Sequence, residues 1–121
     1  MAQDFRELRV WEEAMRLAEM VYAVAPLLPA DERFGLSMQI RKAAVSVPSC
    51  IAEGNGRAST ADYLRFLSMA RGSLSEVQTQ ALLAGRLDLL PRHEIDAILA
   101  QARTVGMLLT GLRRALASKT A

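Results

Sequence analysis

A chain of 121 residues has room for one core and buries on folding roughly two thirds of the surface its unfolded form exposes. It is 51% hydrophobic but only 5% aromatic and rich in Ala and Leu, which favours helices over strands. A formal charge of +2 with a pI near 9.1 neither demands nor excludes an acidic partner, and a lone cysteine excludes an intramolecular disulfide.

No charged, apolar and small-residue series resembles a signal peptide, and no run approaches the roughly 20 apolar residues of a membrane span. The expectation is a protein of the reducing cytoplasm with no membrane partner. The 121 residues read as a single domain of four helices, at about 5–27, 32–54, 60–87 and 91–118. Short connections between them predict an all-α, antiparallel up-down-up-down four-helix bundle.

In the first helix Val10, Trp11, Ala14, Leu17, Ala18, Val21, Tyr22 and Ala25 fill about half the circumference, with Arg9, Glu12, Arg16 and Glu19 opposite. Pro26 and Pro29 end it. Asp31 stands at the N-cap position of the second helix, with Glu32 at the positive end of the dipole. Ile40, Ala43, Ala44, Val47 and Ile51 form one apolar face of this helix. Lys42, Ser46 and Ser49 stand opposite, with Val45 nearby, so the helix needs neighbours on both sides. Pro48 predicts a lost hydrogen bond and a kink, and Gly54-Asn55-Gly56 a C-terminal cap built from residues that tolerate positive φ.

Ser59 and Asp62 have the spacing of a capping box and open the third helix. Tyr63, Phe66, Leu67, Ala70, Leu74, Val77, Ala81 and Ala84 make its main apolar face. Leu64, Arg71, Gln78 and Leu82 form a second, mixed stripe beside it; with Val45, these four are the oligomer-interface candidates. Pro91 suits the first turn of the fourth helix, whose Ile95, Ile98, Ala102, Val105, Leu109, Leu112 and Leu116 turn inward.

Signals for catalysis are sparse. His93 has no partner at metal-ligand spacing, so no metal or other cofactor is expected. Cys50 lies among small apolar residues that favour an inert, buried thiol, and nothing supplies Glu53 or Glu76 with a base, nucleophile or metal. The expectation is a non-enzymatic protein. Arg92, Arg103 and Arg114 recur every eleven residues and trace a stripe about 33 Å long on one face, with Asp96 beside them. Arg41, Lys42, Arg57 and Arg65 could join that stripe to follow a phosphate backbone. An ordinary solvated face is the competing reading. Trp11, Tyr22, Tyr63 and Phe66 all fall on apolar faces, which leaves no aromatic among the cations for base stacking.

Phe5-Arg6-Glu7-Leu8-Arg9-Val10-Trp11, then Gly35 to Ala44, then Ile51-Ala52-Glu53-Gly54 and Gly72-Ser73-Leu74-Ser75-Glu76 occur in an order that resembles the ribosomal RNA intervening-sequence four-helix-bundle family. The resemblance implies a homopentamer. One branch of that family, the accessory variability protein of diversity-generating retroelements, works with a reverse transcriptase and engages nucleic acid through basic surfaces. Two positions depart from the family pattern: Cys50 replaces an Asn before Ile-Ala-Glu-Gly, and Arg41-Lys42 replaces paired arginines, keeping charge but losing one bidentate guanidinium. The functional expectation is a homo-oligomer that binds RNA or DNA through basic surfaces. The alternative is a protein-interaction scaffold, such as a reverse-transcriptase accessory protein, without direct nucleic-acid contact.

Overall fold

The computed structural model of the protein describes residues 3–120. Four helices account for most of them: α1 (Arg9–Val24), α2 (Leu36–Asn55), α3 (Thr60–Arg86) and α4 (Arg92–Thr120). No strand occurs among the described residues. Extended contacts join α1 to α2, α2 to α3, α3 to α4 and α4 to α1, but neither diagonal pair, so the helices stand at the corners of a square. Ser46 meets Ser73 and Asn55 meets Tyr63, a pairing that runs in opposite chain directions and makes α2 and α3 antiparallel. Arg71–Gly106 and Gly85–Ile95 do the same for α3 and α4.

The periodicity puts the expected residues inside. Leu17, Ile51, Leu67, Leu74, Ile98 and Leu109 are buried, and Ala14, Ala44, Ala70 and Ala102 let the backbones approach between them. Removing a leucine of this layer to Ala leaves a cavity and costs about 2–5 kcal/mol.

Several ends differ from the sequence reading. The first helix is not continuous from residue 5. Phe5–Glu7 forms a separate 3-10 turn in which Asp4 and Glu7 build a capping box, and extended Leu8 breaks the chain before α1. The Arg6 guanidinium beside Asp4 holds that carboxyl at about 2, so its contribution to the turn is present above the usual carboxylate range and lost as pH falls toward that value. At the other end α1 stops at Val24, and Pro26 sits in a 3-10 turn.

Asp31 does not cap α2. It lies in a 3-10 turn, Ala30–Glu32, and Gly35 takes the cap position; the longer Glu32 side chain reaches four residues on to accept the Leu36 N–H at 2.9 Å. As the sequence predicts, α2 continues through Pro48, running from Leu36 to Asn55 with the proline buried. The helix ends within Gly54-Asn55-Gly56 as expected, Gly56 donating its N–H to the Ala52 and Glu53 carbonyls, but no glycine adopts positive φ among the described residues. Gly54 is a buried helical residue, and a Cβ there would lie 2.8 Å from the Phe66 Cβ and 3.3 Å from the Tyr63 carbonyl. It is glycine because α3 crosses close to it. Tyr63 donates to Asn55 Oδ1 at 3.2 Å in the same place, and burial pushes its phenol above the ordinary value.

Ser59 caps α3 as its spacing predicts, accepting the Asp62 N–H at 3.1 Å. The far end of α3 closes on Asp88, which has φ 55, with the Leu89 N–H donating to the Ala84 carbonyl at 2.9 Å. This is the left-handed cap more often filled by Gly or Asn. By length and composition alone α4 is apolar enough to cross a bilayer, although charged residues interrupt its apolar run. Ile95, Ile98, Ala102, Val105 and Leu109 on its inner face line the bundle core.

Candidate nucleic-acid interface

The two stripes read separately on the third and fourth helices meet along one seam. Arg71 and Gln78 from α3 and Arg103, Met107 and Arg114 from α4 line an open groove of about 650 Å³, floored by Leu74, Leu99 and Ala102. No carboxylate lines it. Arg71 reaches across the seam and donates through Nη1 to the Gly106 carbonyl at 3.2 Å and to Thr110 Oγ1 at 3.4 Å. Both acceptors are neutral, so the guanidinium is positioned without being neutralised. A Cβ at Gly106 would sit 3.5 Å from the same nitrogen, an ordinary van der Waals contact, so the approach does not depend on the glycine.

The groove continues at both ends. Leu64 borders the Arg113–Arg114–Ala117 turn of α4, and Leu82 borders Arg86, Arg92, Asp96 and Leu99. Of the proposed interface residues, Leu64, Arg71, Gln78 and Leu82 thus share one face and partly line a seam within their own subunit. Leu82 is 51% exposed and Met107 66%. Arg86 and Met107 carry no motif that marks them in the sequence. The signal in α4 is spacing alone: Arg103, Met107, Thr110 and Arg114 recur at helical spacing beside the Arg stripe.

The remaining basic candidates lie at the end of this groove or away from it. Arg92 belongs to the stripe but pairs with Asp96 at 3.6 Å on an exposed turn, a contact that adds little stability. Arg57 and Arg65 both contact Asp62, Arg57 also pairs with Glu53 at 3.2 Å, and their guanidiniums lie 4.4 and 4.6 Å from the Phe66 ring centroid. They brace the α2–α3 turn. Arg41, Lys42 and Val45 face the opposite edge of the square, between α1 and α2, together with Tyr22 and Met38. Tyr22 corrects the sequence reading: it is 49% exposed, with the Arg41 guanidinium 5.9 Å from its ring centroid.

Among the described residues no three His, Cys, Asp or Glu side chains converge on a point. His93 is exposed beside Glu94 at 3.3 Å, and Glu76 is exposed on α3. Cys50 is buried, its Sγ 3.6 Å from Ser46 Oγ, which in turn meets Ser73 Oγ at 2.8 Å. This small polar chain joins α2 to α3.

The fold and this surface define a helical bundle with one long seam of cations and exposed apolar side chains. The chain belongs to the 23S rRNA-intervening sequence protein family, which it matches over residues 6–111. Among solved structures it is similar to a protein of unknown function from the S23 ribosomal protein family of Bacteroides thetaiotaomicron, at 21% identity and a TM-score of 0.80. The likeness covers 86% of this chain and 97% of that one and concerns the fold alone. No curated protein matches the chain.

Proposed function

We propose that the protein is a non-catalytic homo-oligomer, a pentamer, that binds RNA or DNA by phosphate contacts along the α3–α4 face. The observation that carries the reading is the groove that Arg71, Arg103 and Arg114 line with no carboxylate among its lining residues, Asp96 lying in the adjoining hollow beside Leu99 and Arg103. Positive charge held open in this way suits a polyanion, whose bound counterions are released as the arginines replace them. The assembly rests on exposed apolar side chains of α3: Leu82 borders the groove, while Met69 and Leu83 are exposed on another side of the helix. Family membership supports both halves of the reading.

Salt-dependent binding of nuclease-treated protein to labelled RNA and DNA, with the oligomer mass measured on the same sample, tests it. Arg103→Glu is expected to weaken binding at least about tenfold and flatten its salt dependence while leaving the mass unchanged. Leu82→Glu is expected to lower the mass while helicity persists. A monomer at micromolar concentration overturns the assembly, and unchanged binding by Arg103→Glu overturns the groove.

Met107 and Leu99 beside Arg103 favour a second reading, a scaffold whose groove takes an acidic helix of a protein partner such as a polymerase. Partner capture that survives nuclease, together with no affinity for purified nucleic acid at moderate salt, selects it.

A further inference from the structure

The α3–α4 groove contains no aromatic ring, whereas the opposite edge of the bundle presents one among cations. Tyr22 occupies the last turns of α1, on the border of the apolar arc, and half of it faces solvent. Among the described residues its side chain meets one charged partner, Arg41. Arg41 Nε donates to the Ser37 carbonyl at 3.2 Å, which lays the side chain along α2, and its two terminal nitrogens make no hydrogen bond among the described residues. Lys42 is exposed and has no ion pair among the described residues. Met38 and Val45 complete a cleft of about 510 Å³ with no carboxylate among its lining residues. A second ring stands where the chain leads into α2: Phe34 is 75% exposed, with the Arg33 guanidinium 5.3 Å from its centroid.

We infer that the α1–α2 cleft binds an unpaired nucleotide, its base stacking on Tyr22 and its phosphate on Arg41 and Lys42. An aromatic face takes any base, because every base has a π-face, so the site discriminates strandedness rather than sequence. Bases inside a duplex are already stacked on their neighbours and offer no free face to the half-exposed Tyr22 ring. Duplex binding thus falls to the aromatic-free groove on the other side, and single strands gain a second point of attachment here. Lys42, which lacks the planar fork of an arginine, serves as a point charge for the phosphate and leaves stacking to the ring. Val45, one of the sequence-predicted interface residues, becomes part of the floor of this cleft.

The inference rests on the nucleic-acid reading above, and the test separates the two. Fluorescence anisotropy would follow labelled oligo(U), oligo(dT) and a short duplex binding to the wild type, Tyr22→Ala, Tyr22→Phe and Arg103→Glu, with sedimentation mass and circular dichroism on each. Tyr22→Ala is expected to lose roughly five- to tenfold affinity for single strands, the lower end of a stacked base, with duplex binding and salt slope unchanged. Tyr22→Phe is expected to retain wild-type affinity, since the ring and not the hydroxyl carries the contact. A loss on oligo(U) alone assigns the site to RNA, and a loss on both strands assigns it to any unpaired chain. Equal single-strand affinity of Tyr22→Ala and wild type overturns this inference while leaving the groove standing. A lower oligomer mass for Tyr22→Ala overturns it in favour of a subunit contact. A wild-type protein that binds neither single strand nor duplex overturns both.

Discussion

Along α2, α3 is approached so closely that a Cβ on Gly54 would lie 2.8 Å from the Phe66 Cβ. Along α4 the same helix leaves a groove of about 650 Å³, and a Cβ on Gly111 would meet nothing within 4 Å. The closed seam is made of small residues, Ser46, Cys50, Gly54 and Ser73, whose few polar atoms satisfy one another across it. The open seam is made of long side chains, Arg71, Gln78, Arg103 and Met107, which lie along apolar surface and keep their polar ends wet. One seam therefore carries folding and the other remains available to a partner. The difference is set by side-chain length at the crossing, not by hydrophobicity.

The largest effect expected of this division is at Gly54. Gly54→Ala would raise helix propensity in an exposed helix, yet here the added methyl must push apart two backbones, and overpacking of this kind costs about 1–3 kcal/mol. Urea unfolding is expected to show a lower midpoint with an unchanged slope. A midpoint at or above wild type would mean that α2 and α3 are not held so close, and the comparison would fail at its closed end.

Arg71→Ala tests the open end. Its guanidinium bridges the seam only through exposed contacts, so stability is expected to move by less than about 0.5 kcal/mol. Nucleic-acid affinity is expected to fall, with the salt slope shallower by roughly one unit for the lost phosphate contact. A large loss of stability with unchanged binding would make Arg71 a strut of the bundle rather than part of a site.

How far these surfaces could be read from residues alone follows from what each depends on. The helices and their inner faces were readable because the 3.6-residue period survives in Leu17, Ile51, Leu74 and Ile98 whatever lies around them. Ser59 was readable because a cap is a local bond. The α2 start was misassigned since Asp31 and Glu32 are adjacent acids, and only the longer reaches the Leu36 N–H. Gly54 looked like a terminator before Asn55-Gly56, and its true constraint comes from a helix distant in sequence. The groove needed the register of α3 against α4, which the turn through Asp88 decides and neither helix carries alone. Tyr22 sits at the border of an arc, where burial depends on whether a neighbour covers that border.

Gly111→Ala sharpens the comparison most, because its sign is expected to be opposite to that of Gly54→Ala. The residue is an exposed helical glycine with open space around the position of a Cβ. Nothing local opposes a methyl, and the unfolded chain loses freedom that the helix does not use, so stability is expected to rise by about 0.5–1 kcal/mol. If the α3–α4 face is also where subunits meet, the same methyl intrudes on that contact. Thermal unfolding then rises for dissociated protein but falls where the oligomer forms, and a concentration series separates the two. A gain independent of concentration would leave the far end of the groove free of the subunit interface and open to a ligand, while a concentration-dependent loss would place the assembly contact on α4 at Gly111.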